Sequence, residues 1–207
     1  RLGADERLYA KYKAIAGSPE AQSLSPARKA VLDHALRDFV LSGAELQGEA
    51  KERFAQIQER SAELSQKFSE NVLDATDGFE LYVGEAELAG VPEDVVAAAR
   101  EAAKAKERDG CRITLHFPSY FPVMQYAHDR SLRERLYRAY TTRASEHGPA
   151  ERDNTAIMKE LLALRQEEAR LLGHATYADV SLASKMAQSP QEVMGFLRDL
   201  ALRARPY

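Results

Sequence analysis

The sequence predicts a mainly α protein, a multi-helix chain interrupted once by a small two-stranded β element around residues 79–83 and 112–117. Three observations carry that prediction. Apolar residues recur at helical spacing through most of the chain, helix start and stop residues bracket those stretches, and strict apolar–polar alternation is confined to two short runs.

In the stretch from Leu2 to Ile15, residues Leu8, Tyr12 and Ile15 follow the i, i+4, i+7 spacing of a helix face, and Gly17 with Ser18-Pro19 stops it. Ser25 followed by Pro26 supplies an N-cap and a first-turn proline. Val31, Leu32, Ala35, Leu36, Phe39 and Val40 then form an apolar face that ends before Gly43. The longest helix is predicted from Glu49 to Leu73, where Phe54, Ile57, Leu64, Phe68 and Val72 recur, with Glu63 and Lys67 spaced to pair on the solvated side.

Between Asp74 and Phe117 the period changes. Phe79, Leu81 and Val83 alternate with polar neighbours, as do Ile113, Leu115 and Phe117, and a helical stretch opens between them near Pro92-Glu93 and closes at Gly110. Pro118 and Pro122 lack the backbone donor a regular element needs, so Ser119-Tyr120-Phe121 is expected to be an ordered loop. Asp129 is placed to cap a helix carrying Leu132, Leu136, Ala139 and Tyr140, which runs to a loop at His147-Gly148-Pro149. Asp153 or Asn154 caps the next, whose stripe of Ile157, Leu161, Leu164 and Leu171 ends at Gly173, and a short helix from Tyr177 to Ala183 follows. Ser189, Pro190 and Glu192 make the clearest start signal in the chain, a capping box, after which Val193, Phe196, Leu197 and Leu200 are expected to face inward. No fixed-period repeat and no low-complexity linker divides the sequence, so no internal domain boundary is drawn.

Composition excludes several partners. Lys and Arg number 29 against 32 Asp and Glu, which leaves no positive excess to neutralise a phosphate backbone and argues against nucleic acid. No apolar run approaches the roughly 20 residues that span a bilayer, and Arg1 to Arg7 is too charged for a secretory core. The lone Cys111 cannot close an intramolecular disulfide and points to a reducing, cytoplasmic setting. Arg1 is not methionine, and the final helix reaches Arg205-Pro206 without a polar tail before Tyr207. The native polypeptide is therefore expected to begin upstream and to continue downstream.

The residues also argue against a self-contained active site. A helical zinc peptidase needs two imidazoles one turn apart with a Glu between them, yet His34, His116, His128, His147 and His174 include no such pair. A Gly-x-Ser-x-Gly elbow, a Gly-x-Gly-x-x-Gly loop and a Walker pattern are all missing among the 11 glycines. Cys111 reads as a small buried hydrophobe at a strand start rather than a nucleophile. The charged runs Glu101–Asp109 and Arg130–Arg138 read as solvated helix faces. Ser119–Pro122 and the polar stretch Arg143–Asn154 are the better contact candidates, although packing is the favoured role for both.

A family resemblance enters through many short runs in order. They include Ala35-Leu36-Arg37-Asp38-Phe39, Asn71-Val72-Leu73-Asp74-Ala75-Thr76, Glu87-Leu88-Ala89-Gly90, and Pro118-Ser119-Tyr120 with Pro122-Val123-Met124. Tyr137-Arg138-Ala139-Tyr140, Thr142-Arg143-Ala144-Ser145, Asp153-Asn154 before Ile157-Met158, and Ser181-Leu182-Ala183 with Lys185-Met186-Ala187 continue the series to Arg203-Ala204-Arg205-Pro206. Together they resemble the oligopeptidase A and thimet oligopeptidase family of zinc metallopeptidases over nearly the whole chain.

The resemblance implies a two-lobed, almost entirely helical cytoplasmic endopeptidase that cuts short unstructured peptides in a deep channel. Residues 1–207 would form part of its amino-proximal region and one channel wall. The family's zinc, held by His-Glu-x-x-His and a later Glu, would be bound beyond Tyr207, so no catalytic, metal-binding or substrate-binding residue is assigned here. The expected partners are short peptides and the catalytic region of the same polypeptide, with self-association where apolar surface is left uncovered. Two alternatives compete: a free-standing helical module that binds peptides or proteins without cutting, and a hydrolase using scattered histidines, which requires stoichiometric zinc on this chain.

Overall fold

The structure, a computed structural model, describes residues 5–206. Among them are ten α-helices, two short strands and two short 3₁₀ turns. The helices are α1 (Glu6–Ala16), α2 (Pro19–Gln22), α3 (Pro26–Leu41), α4 (Gly48–Asp77), α5 (Glu93–Lys104), α6 (Phe117–Tyr126), α7 (Arg130–Thr141), α8 (Thr155–Leu171), α9 (Tyr177–Leu182) and α10 (Pro190–Ala204). Leu2, where the first helix is expected to begin, and Tyr207 lie outside the described residues. No helix is long and apolar enough to cross a membrane among the described residues. The chain divides into two compact units: one runs up to Ala62 and resumes at Glu160, and the other is Glu63–Lys159.

In the first unit, Asp5 caps α1 by accepting from the amides of Arg7 and Leu8, and Ser25 does the same for α3 by accepting from Arg28. The residue α1 buries is Tyr9, whereas Ile15 of the expected face is exposed. Tyr9 and Tyr12 both pack their rings against Phe39 of α3 at 5.5 Å, which rotates the buried side of α1 away from Ile15. The Tyr9 hydroxyl donates to Glu45 Oε1 at 2.5 Å, and Lys13 Nζ reaches the same oxygen at 2.9 Å. Gly43 sits at φ +82°, where a Cβ would come within 2.9 Å of the Phe54 ring.

The first turns of α4 face α8 through forked ion pairs. Arg53 binds both oxygens of Glu167 at 2.7 and 2.8 Å, and Arg60 binds Glu160 at 2.7 and 3.1 Å. Gly173 closes α8 at φ +79°, with the His174 amide donating to the Ala169 carbonyl. Thr176 and Asp179 cap α9 reciprocally.

Ser189 caps α10 by accepting from the Glu192 amide at 3.2 Å, as expected. Glu192 Oε2, however, accepts from Gln188 rather than from Ser189. The apolar side of this helix departs further from expectation. Phe196, Leu197 and Leu200 are 65%, 49% and 52% exposed, and α10 has no buried residue. Its start signal is local and is satisfied locally; inward burial needs a partner, and within this unit the helix touches chiefly α9.

The second unit has the denser core. Strand β1 (Leu81–Val83) pairs antiparallel with β2 (Cys111–Ile113), setting Leu81 against Ile113 and Val83 against Cys111. The ladder is shorter than the alternation predicts, because Phe117 already opens α6. The helical insertion ends at Lys104, not at Gly110. After a turn through Glu107 at φ +53°, Gly110 at φ +85° enters the strand so close that a Cβ would stand 2.5 Å from the Val83 carbonyl oxygen. Val83, Leu88, Cys111, Ile113, Val123, Leu132 and Leu136 form one continuous cluster, each almost fully buried.

Residues 117–126 also correct the loop expectation. Pro118 lies in the first turn of α6, where a backbone donor is not required, and Pro122 costs the helix one interior hydrogen bond. The offsetting contacts are visible: the Ser119 hydroxyl accepts from the Thr114 amide, and Val123 and Ala127 are completely buried. Asp129 caps α7 as predicted, through the amides of Ser131 and Leu132. Asp153 supplies the side-chain cap of α8 by accepting from Thr155 at 2.8 Å. Asn154 turns inward instead, taking a 2.8 Å hydrogen bond from Asn71 and donating to the Phe68 carbonyl of α4 at 3.1 Å.

Candidate functional site

The second unit holds the surfaces singled out in the sequence. From Arg143 to Asn154 the chain is tied to the last turns of α4. The Arg143 guanidinium donates to Thr76 Oγ1 at 2.7 Å and to the Tyr140 carbonyl at 2.9 Å, and it lies 3.8 Å from the Tyr140 ring centroid. Tyr140 in turn stacks on Tyr120 of α6 at 4.2 Å. Arg152 donates to the Asp74 carbonyl at 3.0 Å, bringing positive charge to the electronegative end of α4. Burial holds the Tyr120 phenol above its ordinary pKa, so it stays protonated.

These groups border a cleft of about 210 Å³ lined by Ala75, Phe79, Leu115, Ala139, Arg143 and Arg152, among others. Its walls are apolar, and its two charges are guanidinium groups already engaged with hydroxyl and carbonyl oxygens. Such a lining suits packing or an extended backbone that offers carbonyls. It contains no nucleophile beside a base.

Beyond the cleft, α6 carries three exposed aromatic rings. Phe117 and Phe121, one turn apart, stack at 4.8 Å and are 64% and 44% exposed, while Tyr126 on α6 and Tyr137 on α7 are also exposed. The four-residue spacing of Phe117 and Phe121 is present in the sequence, but the prolines beside them disguise the helix. Ser119 and Tyr120, from the same predicted loop, turn inward to hold Thr114, just past β2, and Tyr140 of α7. The loop residues thus divide between packing and an open aromatic face.

The histidines are not brought together around a metal. His116 forms the N-cap of α6 and lies 3.1 Å from Asp77, His147 lies 3.6 Å from its neighbour Glu146, and His34 and His128 are exposed. Among the described residues, no group of three His, Cys, Asp or Glu side chains is placed to hold a metal ion. The donor set therefore does not fit a zinc centre. Cys111 is fully buried in β2, and burial pushes its thiol pKa up, so little of it is thiolate.

Comparison with known proteins finds this sequence similar to peptidases. Residues 123–207 match the model of Peptidase family M3, and residues 1–51 match that of the Neurolysin/Thimet oligopeptidase N-terminal domain. The chain is 50% identical to Oligopeptidase A of Salmonella typhimurium and to Oligopeptidase A of Escherichia coli, in each case over 99% of this chain and 31% of the relative. It is 44% identical to the Probable cytosolic oligopeptidase A of Arabidopsis thaliana, over 90% of this chain and 27% of that protein. The resemblance to oligopeptidase A therefore runs along nearly the whole chain, which spans about a third of the length of the curated relatives it matches.

Proposed function

We propose that this oligopeptidase A-like chain is the non-catalytic, amino-proximal part of a cytoplasmic zinc metalloendopeptidase that hydrolyses short unstructured peptides, with residues 1–207 forming one wall of its substrate channel. The observation that carries this reading is the 50% identity to Oligopeptidase A over 99% of the chain, combined with a span of only 31% of those proteins. The zinc and its ligands would then belong to the remainder of the polypeptide. When bound there, zinc would activate water and polarise the scissile carbonyl. No step of the reaction is assigned to a residue of this chain.

What this chain contributes is shape. A wall carrying stacked Phe117 and Phe121, with exposed Tyr137, offers flat apolar surface to the side chains of an extended peptide. A channel of such walls admits an unfolded strand and excludes a folded domain, which gives a length limit without sequence recognition.

The test compares two proteins on one unstructured peptide and one folded protein: the polypeptide as purified from its source, with its intact mass determined, and the 207-residue chain. The expected results are an intact mass near three times that of the chain, cleavage of the peptide alone by the long form, and no cleavage by the short one. A native protein that ends near residue 207 and binds the peptide without cutting it would replace this reading with that of a free-standing peptide-binding module.

A further inference from the structure

We infer that the exposed apolar side of α10, formed by Val193, Phe196, Leu197 and Leu200, is the seam on which the catalytic remainder of the same polypeptide docks; the inference rests on the peptidase reading above. Four observations on this chain converge.

The helix is strongly specified where it starts, by the Ser189 cap and Pro190, so α10 is not a frayed end. Its apolar residues fall at i, i+3, i+4 and i+7, the stripe of a helix that packs on something. Three of the four large side chains are nevertheless about half exposed or more, a contiguous apolar surface that soluble proteins seldom leave open. Away from this stripe the helix carries an internal ion pair, Arg203 to Asp199 at 2.9 Å, which draws on no residue of another element.

The occupant follows from the comparisons. The match to Peptidase family M3 covers residues 123–207, so α10 lies inside the peptidase region, and the relatives carry about two thirds of their length outside the part matched here. A covalently attached segment docks at high effective concentration and needs no independent affinity, which makes it a stronger claimant to this surface than a second copy. Docking there would couple the chain carrying the wall to the part carrying the metal, so that α10 positions one against the other. Phe196 and its neighbours would be positioning residues, with no contact to substrate.

The experiment uses the long natural polypeptide and the 207-residue chain side by side. Amide hydrogen exchange over residues 193–202 is expected to be slower by roughly 100-fold or more in the long form, because these amides would open only with the docked surface. The double variant Phe196→Asp, Leu200→Asp should erase that protection and lower kcat of the long form at an unchanged bound zinc content. In the 207-residue chain the same variant should leave the melting temperature where it was. Equal exchange in the two forms, with full activity in the variant, overturns the inference. So does protection in the short chain that grows with concentration alongside a doubling of mass, which would assign the surface to a second copy. A long form that holds α10 protected but cleaves no peptide would sink the peptidase reading separately.

Discussion

The cluster built on β1, α5, β2, α6 and α7 and the helix α10 both carry apolar residues and differ completely in what they bury. Ile113, Val123, Leu132 and Leu136 are almost or wholly inaccessible, whereas Phe196, Leu197 and Leu200 remain about half exposed or more. Ile113, Leu132 and Leu136 and the α10 residues all follow the spacing of buried faces. Periodicity therefore reports that a face is apolar; whether the face is covered depends on which other elements the same chain supplies.

The largest effect is expected where burial is complete. Leu136→Ala should cost about 3 kcal/mol in urea unfolding, because a fully packed site relaxes only partly around the cavity. A cost no greater than that of an exposed leucine would dissolve the contrast between the two regions. Next comes Asn154→Ala, which strands the Asn71 amide inside the second unit and should cost about 2 kcal/mol by the same measurement.

Ser189→Ala removes the cap of α10 and should cost about 1 kcal/mol. In the 207-residue chain that loss should show as faster exchange over residues 190–204, with the main melting transition unmoved, since α10 has no buried residue to transmit it. Phe196→Ala in the same chain should change stability by less than about 0.5 kcal/mol, the value for an exposed position. A loss as large as that of Leu136→Ala would show that α10 is covered after all.

The finest distinction is in pH dependence. Hydrogen bonds from Arg60 and Arg53 hold Glu160 and Glu167 below the usual carboxylate range, so their contribution is present above that range and fades as pH falls through their lowered values. Glu168 on the same helix is shifted the opposite way, chiefly by burial, and Gln58 donates to it at 2.9 Å. Its folded form holds a proton more tightly than the unfolded chain, so stability falls as pH rises from about 4.5 through its raised value. Glu168→Gln should remove that decline and leave the acid-side loss in place, as read from melting temperature against pH. An unchanged profile would assign the slope to other groups.

Most elements were legible because their signals are local. Ser25-Pro26, Asp129 and Ser189 mark helix starts through bonds made within four residues, and the structure shows each of those bonds. Signals that depend on distant partners were misread. Pro118 and Pro122 suggested a loop because their local cost is visible, while the burial of Val123 and the Ser119 contact that offset it are tertiary. Tyr9 replaced Ile15 on the buried side of α1 for the same reason, since Phe39 decides which side is inward. The exposed pair Phe117 and Phe121 went unnoticed with the helix that presents them. No pattern in the sequence announces the Arg143–Thr76 contact, which joins residues far apart in the chain.

The division of the chain also has a consequence during synthesis. The second unit is one uninterrupted stretch, Glu63–Lys159, so everything its core needs has been translated once that stretch leaves the ribosome. The first unit cannot close then: Arg53 and Arg60 wait for Glu167 and Glu160, which are translated only after that stretch. The nascent protein must therefore carry the earlier part of the first unit unfinished after the second unit is complete. Until Glu160 and Glu167 arrive, the first turns of α4 lack the ion-pair partners they keep in the finished unit.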